Sequence, residues 1–126
     1  MRKGSSSTKN RMFRINDEIL REVANIIRLE IKDPRVGSMT TVVKVDTTND
    51  LKQCKIYVSI LGEKEQKEEV MEGLTNASGF IRKQLAERIN LRNTPEIKFI
   101  LDESLEYSIK ISKLINEVNK PDKESD

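Results

Sequence analysis

Apolar residues recur along this chain with two different periods, and these periods predict where its helices and strands lie. After residue 14 the apolar side chains return every three or four positions, which is typical of one buried face of a helix. These positions are Ile15, Ile19, Val23, Ile26, Ile27 and Ile31. Asn16 or Asp17 is placed to cap this helix. Pro34 disfavours helical geometry in the residue before it, so the helix is predicted to end at Asp33.

Two runs of alternating apolar and polar residues follow, and each predicts a strand with one buried face. The first run covers residues 39–47 and the second covers residues 53–60, with a polar loop at 48–50 between them. The faces that these runs predict are Met39, Thr41, Val43, Val45 and Thr47 in the first, and Cys54, Ile56, Val58 and Ile60 in the second. Because the loop is short, the two strands are expected to pair as an antiparallel hairpin.

Helical periodicity returns after Gly62. It is interrupted at Gly79 and again by the third strand. A second helix begins near Glu63, a third follows Gly79, and both are amphipathic. A third strand follows Pro95, and a final helix starts at residues 102–104. The apolar positions of these four elements are Val70, Met71, Leu74 and Ala77; Phe80, Ile81, Leu85 and Ile89; Ile97, Phe99 and Leu101; and Leu105, Ile109, Leu114, Ile115 and Val118.

The order of these elements, α-β-β-α-α-β-α, predicts an α+β fold. About thirty residues of helical crossover separate the second strand from the third, which is long enough for the two to lie parallel with the helices on one face. We therefore expect a mixed three-stranded sheet with the second strand in the middle, in a single domain because the chain has only 126 residues. The predicted division is a flexible basic arm at 1–14, a folded domain at 15–119 and a polar tail at 120–126.

The formal net charge of +2 is too small to indicate a nucleic-acid partner, but the charges are unevenly distributed. Residues 1–14 hold five cations and no acid, and residues 80–98 hold five cations and two acids. Residues 63–72 instead hold five acids and two cations. We therefore expect one basic side and one acidic side. Little apolar surface is left over for an oligomer, so a monomer is expected.

The composition also bears on where the protein works. No run approaches the roughly 18 apolar residues that span a bilayer, and residues 1–10 lack the apolar stretch of a secretory signal. The lone cysteine, Cys54, has no partner for an intramolecular disulfide and lies on the predicted buried face of its strand. These features predict a cytoplasmic protein without membrane contact.

Side chains suited to catalysis are sparse. The chain has no histidine, which removes the commonest acid-base group and metal ligand, and no Cys or carboxylate cluster has metal-ligand spacing. We therefore predict that the protein is not an enzyme and needs no cofactor or metal. Two alternatives to an RNA-binding protein stay open: an RNA-processing enzyme, and an interaction module whose acidic second helix docks a basic partner.

A candidate phosphate site lies where the second helix gives way to the third. If Ser78 caps the third helix, free N–H groups from Gly79 to Ile81 point outward at the positive end of the helix dipole, where a phosphate is favoured. Gly79 would also let an RNA backbone come close. The alternative is that Gly79 only allows a tight turn between two helices.

Basic residues accompany this bend. Arg82 and Lys83 lie in the first turn of the third helix. Arg88 and Arg92, at spacing i and i+4, can form a stripe on one side of that helix. Such a stripe can follow a phosphate chain, although a charged row on a helix can equally be its solvated face. The basic arm shifts the balance toward RNA, and we expect arm and helix to bring their cations together around the bend at 77–79.

Several runs of sequence resemble a known family. They are residues 30–37 (EIKDPRVG), 55–59 (KIYVS), 76–82 (NASGFIR) with Leu85, and Leu91, Arg92, Pro95, Phe99, Asp102, Glu103 and Ser104. In these runs and in its element order, the chain resembles a type II KH domain, and more narrowly the ribosome-binding factor A family. In that family an Ala-x-Gly bend, here Ala77 and Gly79, stands where typical KH domains have a Gly-x-x-Gly loop.

The resemblance implies a non-catalytic, KH-like RNA-binding domain at 15–119. It implies binding to the immature small (30S) ribosomal subunit, near the ends of its 16S rRNA, during late maturation and especially in the cold, with small-subunit proteins as further candidate partners. The residues expected to contact RNA are Lys9, Arg11, Arg14, Arg35, Ala77, Ser78, Gly79, Arg82, Lys83, Arg88 and Arg92. Two roles stay open: Arg35 can contact rRNA or bond the local backbone, and Tyr57 can pack on the sheet or stack on a base.

Overall fold

The structure is a computed structural model that describes residues 2–31, 36 and 39–118. In this part of the chain the helices and strands follow the predicted order. They are α1 (Arg2–Leu29), β1 (Thr40–Thr47), β2 (Gln53–Ile60), α2 (Lys64–Asn76), α3 (Ser78–Arg88), β3 (Glu96–Leu101) and α4 (Ser104–Val118). The predicted α+β class is confirmed, and the predicted tail at 120–126 lies outside the described residues.

The three strands form one mixed sheet in the order β1-β2-β3. β1 pairs antiparallel with β2, as a two-strand hairpin requires, and β3 pairs parallel with β2 after the helical crossover. The row across the sheet that contains Val42, Val58 and Leu101 illustrates the register. The prediction of a mixed sheet with the second strand in the middle is therefore correct.

The core lies between one face of the sheet and the helices. The inward face of β2 is fully buried, and the buried side chains of α1, α2 and α3 belong to the same cluster. Its central members are Ile19, Val23 and Ile26; Cys54, Ile56, Val58 and Ile60; and Leu74, Ile81 and Leu85. These are the positions that the two apolar periods predicted. Burial raises the pKa of the Cys54 thiol, so this side chain behaves as a small apolar residue.

The first helix is longer than predicted. It begins at Arg2 rather than near Asn16, so residues 2–14, which were predicted as a flexible arm, are helical. The expected cap is also absent, because Asn16 is now an interior residue of the helix. Its Oδ1 accepts a hydrogen bond from the N–H of Thr47 at 3.1 Å. The physical reason is that the buried turns nucleate the helix. Each further residue then adds one backbone hydrogen bond, so the helix can extend where apolar periodicity is missing.

Strand β1 contains an irregularity that the alternating pattern did not reveal. Val42 pairs with Val58 and Lys44 pairs with Tyr57, so Val43 is an extra residue between two consecutive pairs. The expected alternation is therefore wrong at this position: Val43 is 46% exposed, whereas Val45 and Thr47 are buried. A bulge of this kind interrupts the alternation of the strand. Side chains before and after it that would share a face in a regular strand therefore point to opposite faces.

The bend between α2 and α3 is a single residue long. This residue, Ala77, keeps a right-handed helical conformation, and the Ser78 hydroxyl donates back to the carbonyl of Leu74 at 3.2 Å instead of capping α3. The N–H of Ile81 is not free, because it donates to the carbonyl of Ala77 at 2.9 Å. Phe80, which was predicted on the buried stripe, is 42% exposed. The capping prediction fails because Ala77 occupies the N-cap position of α3 and the Ser78 hydroxyl bonds to the preceding helix instead.

Candidate nucleic-acid interface

Six of the predicted RNA-contacting cations have described side chains, and all six are exposed. They are Arg11, Arg14, Arg82, Lys83, Arg88 and Arg92. The side chain of Lys9 and the whole of Arg35 lie outside the described residues. The six cations differ in whether their head groups bond to other parts of the molecule.

Arg82 and Arg88 are engaged within the molecule. The Arg82 guanidinium donates from Nε and Nη2 to the carbonyl of Thr94, at 3.2 and 2.8 Å, and so fastens the loop that follows α3. Arg88 Nη1 lies 3.4 Å from Glu22 Oε1, which joins the end of α3 to the middle of α1. These contacts give both arginines structural roles.

Arg92 does not continue a helical stripe with Arg88. Helix α3 ends at Arg88, and Ile89 adopts an extended conformation that places its side chain in the core. Arg92 therefore lies in the loop before β3, and the predicted i, i+4 relation is wrong. The cause is burial of Ile89, which redirects the chain toward α1 and the β1–β2 turn.

This redirection produces a cleft of about 430 Å³ between α1, the β1–β2 turn and the loop after α3. We call it the basic cleft, and its lining consists of Asn10, Arg11, Arg14, Ile15, Glu18, Leu51, Asn90, Leu91 and Arg92. Three of the predicted cations, Arg11, Arg14 and Arg92, thus share one site although the last is about eighty residues from the others along the chain.

Helix α1 supplies one wall of the basic cleft through its periodicity. Arg11, Arg14 and Glu18 are separated by three and four residues, so they project from the same face of the helix. Ile15 follows on that face and is buried at the cleft floor, where it belongs to the core. The same helix therefore presents charge at the mouth of the cleft and apolar surface beneath it.

Leu51 supplies the second part of the floor, and it was missed by the sequence interpretation. It lies in a polar turn, yet it is only 1% exposed and has a φ of 59°, in the left-handed region that L residues rarely adopt. Its carbonyl accepts a hydrogen bond from Asn93 Nδ2 at 2.9 Å, which holds the loop after α3 against the turn. The available signal was a single leucine among polar turn residues.

The turn around Leu51 is fixed by its neighbours. The Thr48 hydroxyl donates to Asp50 Oδ1 at 2.7 Å, and the N–H of Lys52 donates to the same oxygen at 3.0 Å. These hydrogen bonds, led by the one from Thr48, lower the pKa of the Asp50 carboxyl. Asp50 thus stays ionised and keeps the turn that seats Leu51.

The head groups around the basic cleft lack partners in the part of the chain that the structure describes. Among the described residues, Arg11, Arg14 and Arg92 form no hydrogen bond or ion pair, in contrast to Arg82 and Arg88. Glu18 is equally unpaired within that part of the chain, although it lies one turn from Arg14. The site therefore combines three guanidinium groups and one carboxylate that have no partner within the described residues.

The bend at 77–79 lies at the other end of α3, roughly 16 Å from the basic cleft at 1.5 Å per helical residue. The expectation that the cations converge around the bend is therefore not met. Ala77 and Ser78 are half-buried, whereas Gly79 is exposed and a Cβ there would meet nothing within 4 Å. The space at Gly79 is open on the outside of the protein.

Two other kinds of site are absent from the part of the chain that the structure describes. It holds no group of three or more Cys, Asp or Glu side chains placed to bind a metal ion. None of its helices combines the length and the apolar character needed to cross a membrane.

Comparison with known proteins now identifies the family. A family model described as ribosome-binding factor A matches residues 11–115, which is most of the chain. The chain belongs to the ribosome-binding factor A family. The matched range contains all three arginines of the basic cleft and the bend at 77–79.

Individual members of the ribosome-binding factor A family show the same relationship. Ribosome-binding factor A of Lachnospira eligens is 56% identical over 117 residues, which cover 93% of this chain and 88% of the relative. A solution structure from Thermotoga maritima, called a putative ribosome binding factor A, superposes with a TM-score of 0.64 at 31% identity, over 71% of this chain and 85% of that one. These matches confirm the family and the fold.

A third match concerns a member of the family seen in a complex. It is a homology model of the Thermus thermophilus factor, fitted into the cryo-EM map of its complex with the 30S subunit. It superposes with a TM-score of 0.57 at 24% identity, over 70% of this chain and 91% of that one. At this identity the likeness concerns the fold alone.

Proposed function

We propose that this protein is an assembly factor that binds the immature 30S subunit through its 16S rRNA and assists late maturation of that rRNA, with particular importance in the cold. It acts as a monomer in the cytoplasm, and it does so by binding rather than catalysis. The observation that carries the proposal is the meeting of Arg11, Arg14 and Arg92 at one cleft with no intramolecular partner among the described residues.

The chemistry of the basic cleft suits an RNA backbone. A guanidinium is planar and always charged, and its N–H groups can bond two phosphate oxygens at once. Three such groups around one cleft can neutralise neighbouring phosphates and release their counterions, which supplies most of the affinity in nucleic-acid binding. The family relationship adds the context, since a homology model of one relative has been fitted into the map of its complex with the 30S subunit.

The bend at 77–79 serves in this proposal as a second, weaker contact. Gly79 is exposed, and because nothing lies near the position of its missing Cβ, the fold itself does not require a glycine there. A glycine without a packing role is consistent with close approach of an RNA backbone. Lys83, exposed on the next turn of α3, adds a cation near that contact.

The alternative interaction module rests on the outer face of α2, where Glu65, Glu68 and Glu72 are exposed. A row of carboxylates repels phosphates, so this face is unsuited to RNA and is the place where we expect any small-subunit protein to dock. An RNA-processing enzyme is disfavoured by the absence of histidine from the sequence.

The test compares two triple variants that lose the same charge. The variant in which Gln replaces Arg11, Arg14 and Arg92 should bind immature 30S subunits about tenfold or more weakly, because three phosphate contacts are lost. The matched control replaces Lys44, Lys55 and Lys98, which are exposed on the face of the sheet away from the core, by Gln. Binding is measured by co-sedimentation at fixed salt, with circular dichroism to show that each variant is folded.

The control variant should bind nearly as well as the unmodified protein. Equal losses in the two variants would mean that only total charge matters, and the assignment of the RNA contact to the basic cleft would then be wrong. Binding of both variants at full strength, together with loss after reversal of Glu65, Glu68 and Glu72, would favour the protein-docking alternative.

A further inference from the structure

The lining of the basic cleft is not that of a simple phosphate site. A site for phosphate alone gains from cations and N–H donors, whereas Glu18 places a carboxylate in the same lining as Arg11 and Arg14. Since Glu18 has no ion pair or hydrogen bond among the described residues, its own structural role does not explain its position. An acceptor-only group beside three cations indicates a ligand that carries both negative charge and hydrogen-bond donors.

The floor of the cleft adds a third property. Ile15 and Leu51 are 8% and 1% exposed, and Leu91 is half-buried beside them, so the base of the cleft is apolar. Its volume of about 430 Å³ falls within the usual range of small-ligand pockets. A flat ring can therefore lie on this floor while charged groups contact its edges.

A nucleotide has all three properties, with a phosphate, an apolar ring and donor groups on the ring edge. Unpaired RNA bases are commonly splayed out, stacked on aromatic or guanidinium planes, and bonded along their Watson–Crick edges. The cleft lining contains no aromatic residue, so Arg14 or Arg92 would provide the stacking plane. Asn10 and Asn90 each add an amide that can donate and accept.

We infer that the basic cleft binds one unstacked nucleotide of single-stranded RNA, that Glu18 selects the base, and that guanine is preferred. The reason is that guanine presents two neighbouring donors, N1–H and the N2 amino group, to the two oxygens of a carboxylate. Uracil presents one donor between two carbonyl oxygens, which a carboxylate repels. This inference rests on the proposed function and makes the same site base-selective.

The experiment uses the full-length protein and two fluorescein-labelled RNA hexamers, UUUUUU and UUGUUU, read by fluorescence anisotropy at low salt. The unmodified protein should bind UUGUUU roughly tenfold more tightly, as a bidentate contact to a base edge provides. Glu18→Gln should reduce that preference to about twofold or less, because an amide offers only one acceptor to the two donors.

The same variant should bind UUUUUU at least as tightly as before, since a negative charge near the phosphates has been removed. Binding of UUGUUU should weaken, and a loss confined to this hexamer cannot come from partial unfolding, which would weaken both. Glu65→Gln, at an exposed carboxylate on α2, is the matched control and should change neither affinity.

Equal affinity of the unmodified protein for both hexamers, binding of neither, or an unchanged preference in Glu18→Gln would each overturn base recognition by the cleft. These results are distinguishable from failure of the proposed function. If the triple arginine variant still loses its affinity for 30S subunits, the cleft remains an RNA-backbone site without base selection. If that variant binds subunits normally, the proposed function itself fails.

Discussion

Single residues give this molecule features that their residue type does not suggest, and Leu51 is the clearest example. It is a buried leucine with a left-handed backbone conformation, which costs an L residue roughly 1–2 kcal/mol relative to a right-handed one. Burial of its side chain outweighs this cost. Leu51 therefore stabilises both the β1–β2 turn and the floor of the basic cleft.

This balance predicts an unusual order of stabilities. Leu51→Ala should destabilise the protein by about 2–4 kcal/mol through loss of buried apolar surface. Leu51→Gly should be no worse than Leu51→Ala, because glycine adopts a positive φ without strain. At Leu74, which is buried within helix α2, glycine should instead be about 1 kcal/mol worse than alanine.

Urea-unfolding midpoints of the four variants measure these differences. The comparison at Leu74 serves as the control for the general effect of glycine on the unfolded chain. If the alanine variant were more stable than the glycine variant by the same margin at Leu51 and at Leu74, backbone strain at Leu51 would be ruled out.

Elements of the fold depart from their sequence patterns where tertiary contacts override local preference. The alternation in β1 is shifted by the extra residue Val43, and Arg92 leaves the predicted stripe with Arg88 because Ile89 is buried in an extended conformation. In both cases burial of a neighbouring apolar side chain decides the local geometry. Helix α4, by contrast, keeps Ile109, Leu114 and Ile115 about half exposed.

The bulge in β1 predicts a difference between two neighbouring valines. Val45→Thr should lower the free energy of unfolding by about 1–3 kcal/mol, because a hydroxyl replaces a methyl group in the core. Val43→Thr should change it by no more than about 0.5 kcal/mol, because that side chain is exposed at the bulge. Chemical denaturation of both variants provides the measurement.

Threonine suits a strand as well as valine does, so strand propensity is matched in this pair. A simple alternating strand would place both valines on one buried face and make the two substitutions similarly harmful. Similar losses at the two positions would therefore speak against the bulge.

At the scale of the whole molecule, the net charge matters less than its separation into regions. Arg11, Arg14 and Arg92 gather at the basic cleft, and carboxylates line the outer face of α2. Such a separation orients the protein as it approaches a polyanion, and it makes association sensitive to ionic strength.

The salt dependence of binding to 30S subunits should report the number of phosphates contacted. Between roughly 50 and 200 mM salt the affinity of the unmodified protein should drop by one or more orders of magnitude. In the variant with Arg11, Arg14 and Arg92 replaced by Gln, the slope of log affinity against log salt should be smaller by about two, since each lost phosphate contact on a single strand removes about 0.7.

Affinities at four or more salt concentrations give both slopes. The control with Lys44, Lys55 and Lys98 replaced by Gln should keep the slope of the unmodified protein. A flat response of the unmodified protein would contradict binding through the RNA backbone.

The sequence by itself determined the element order, the sheet topology and most of the core, because these follow from local periodicity and connection length. It also identified Arg11, Arg14 and Arg92 as candidates for RNA contact. Only the tertiary structure decided which cations bond within the molecule, because the partners are remote in sequence: Arg88 meets Glu22 across 66 positions. The loop that carries Arg92 is also positioned by a remote contact, since Asn93 meets Leu51 across 42 positions. The basic cleft exists only once those distant segments pack together, so no local pattern could predict it.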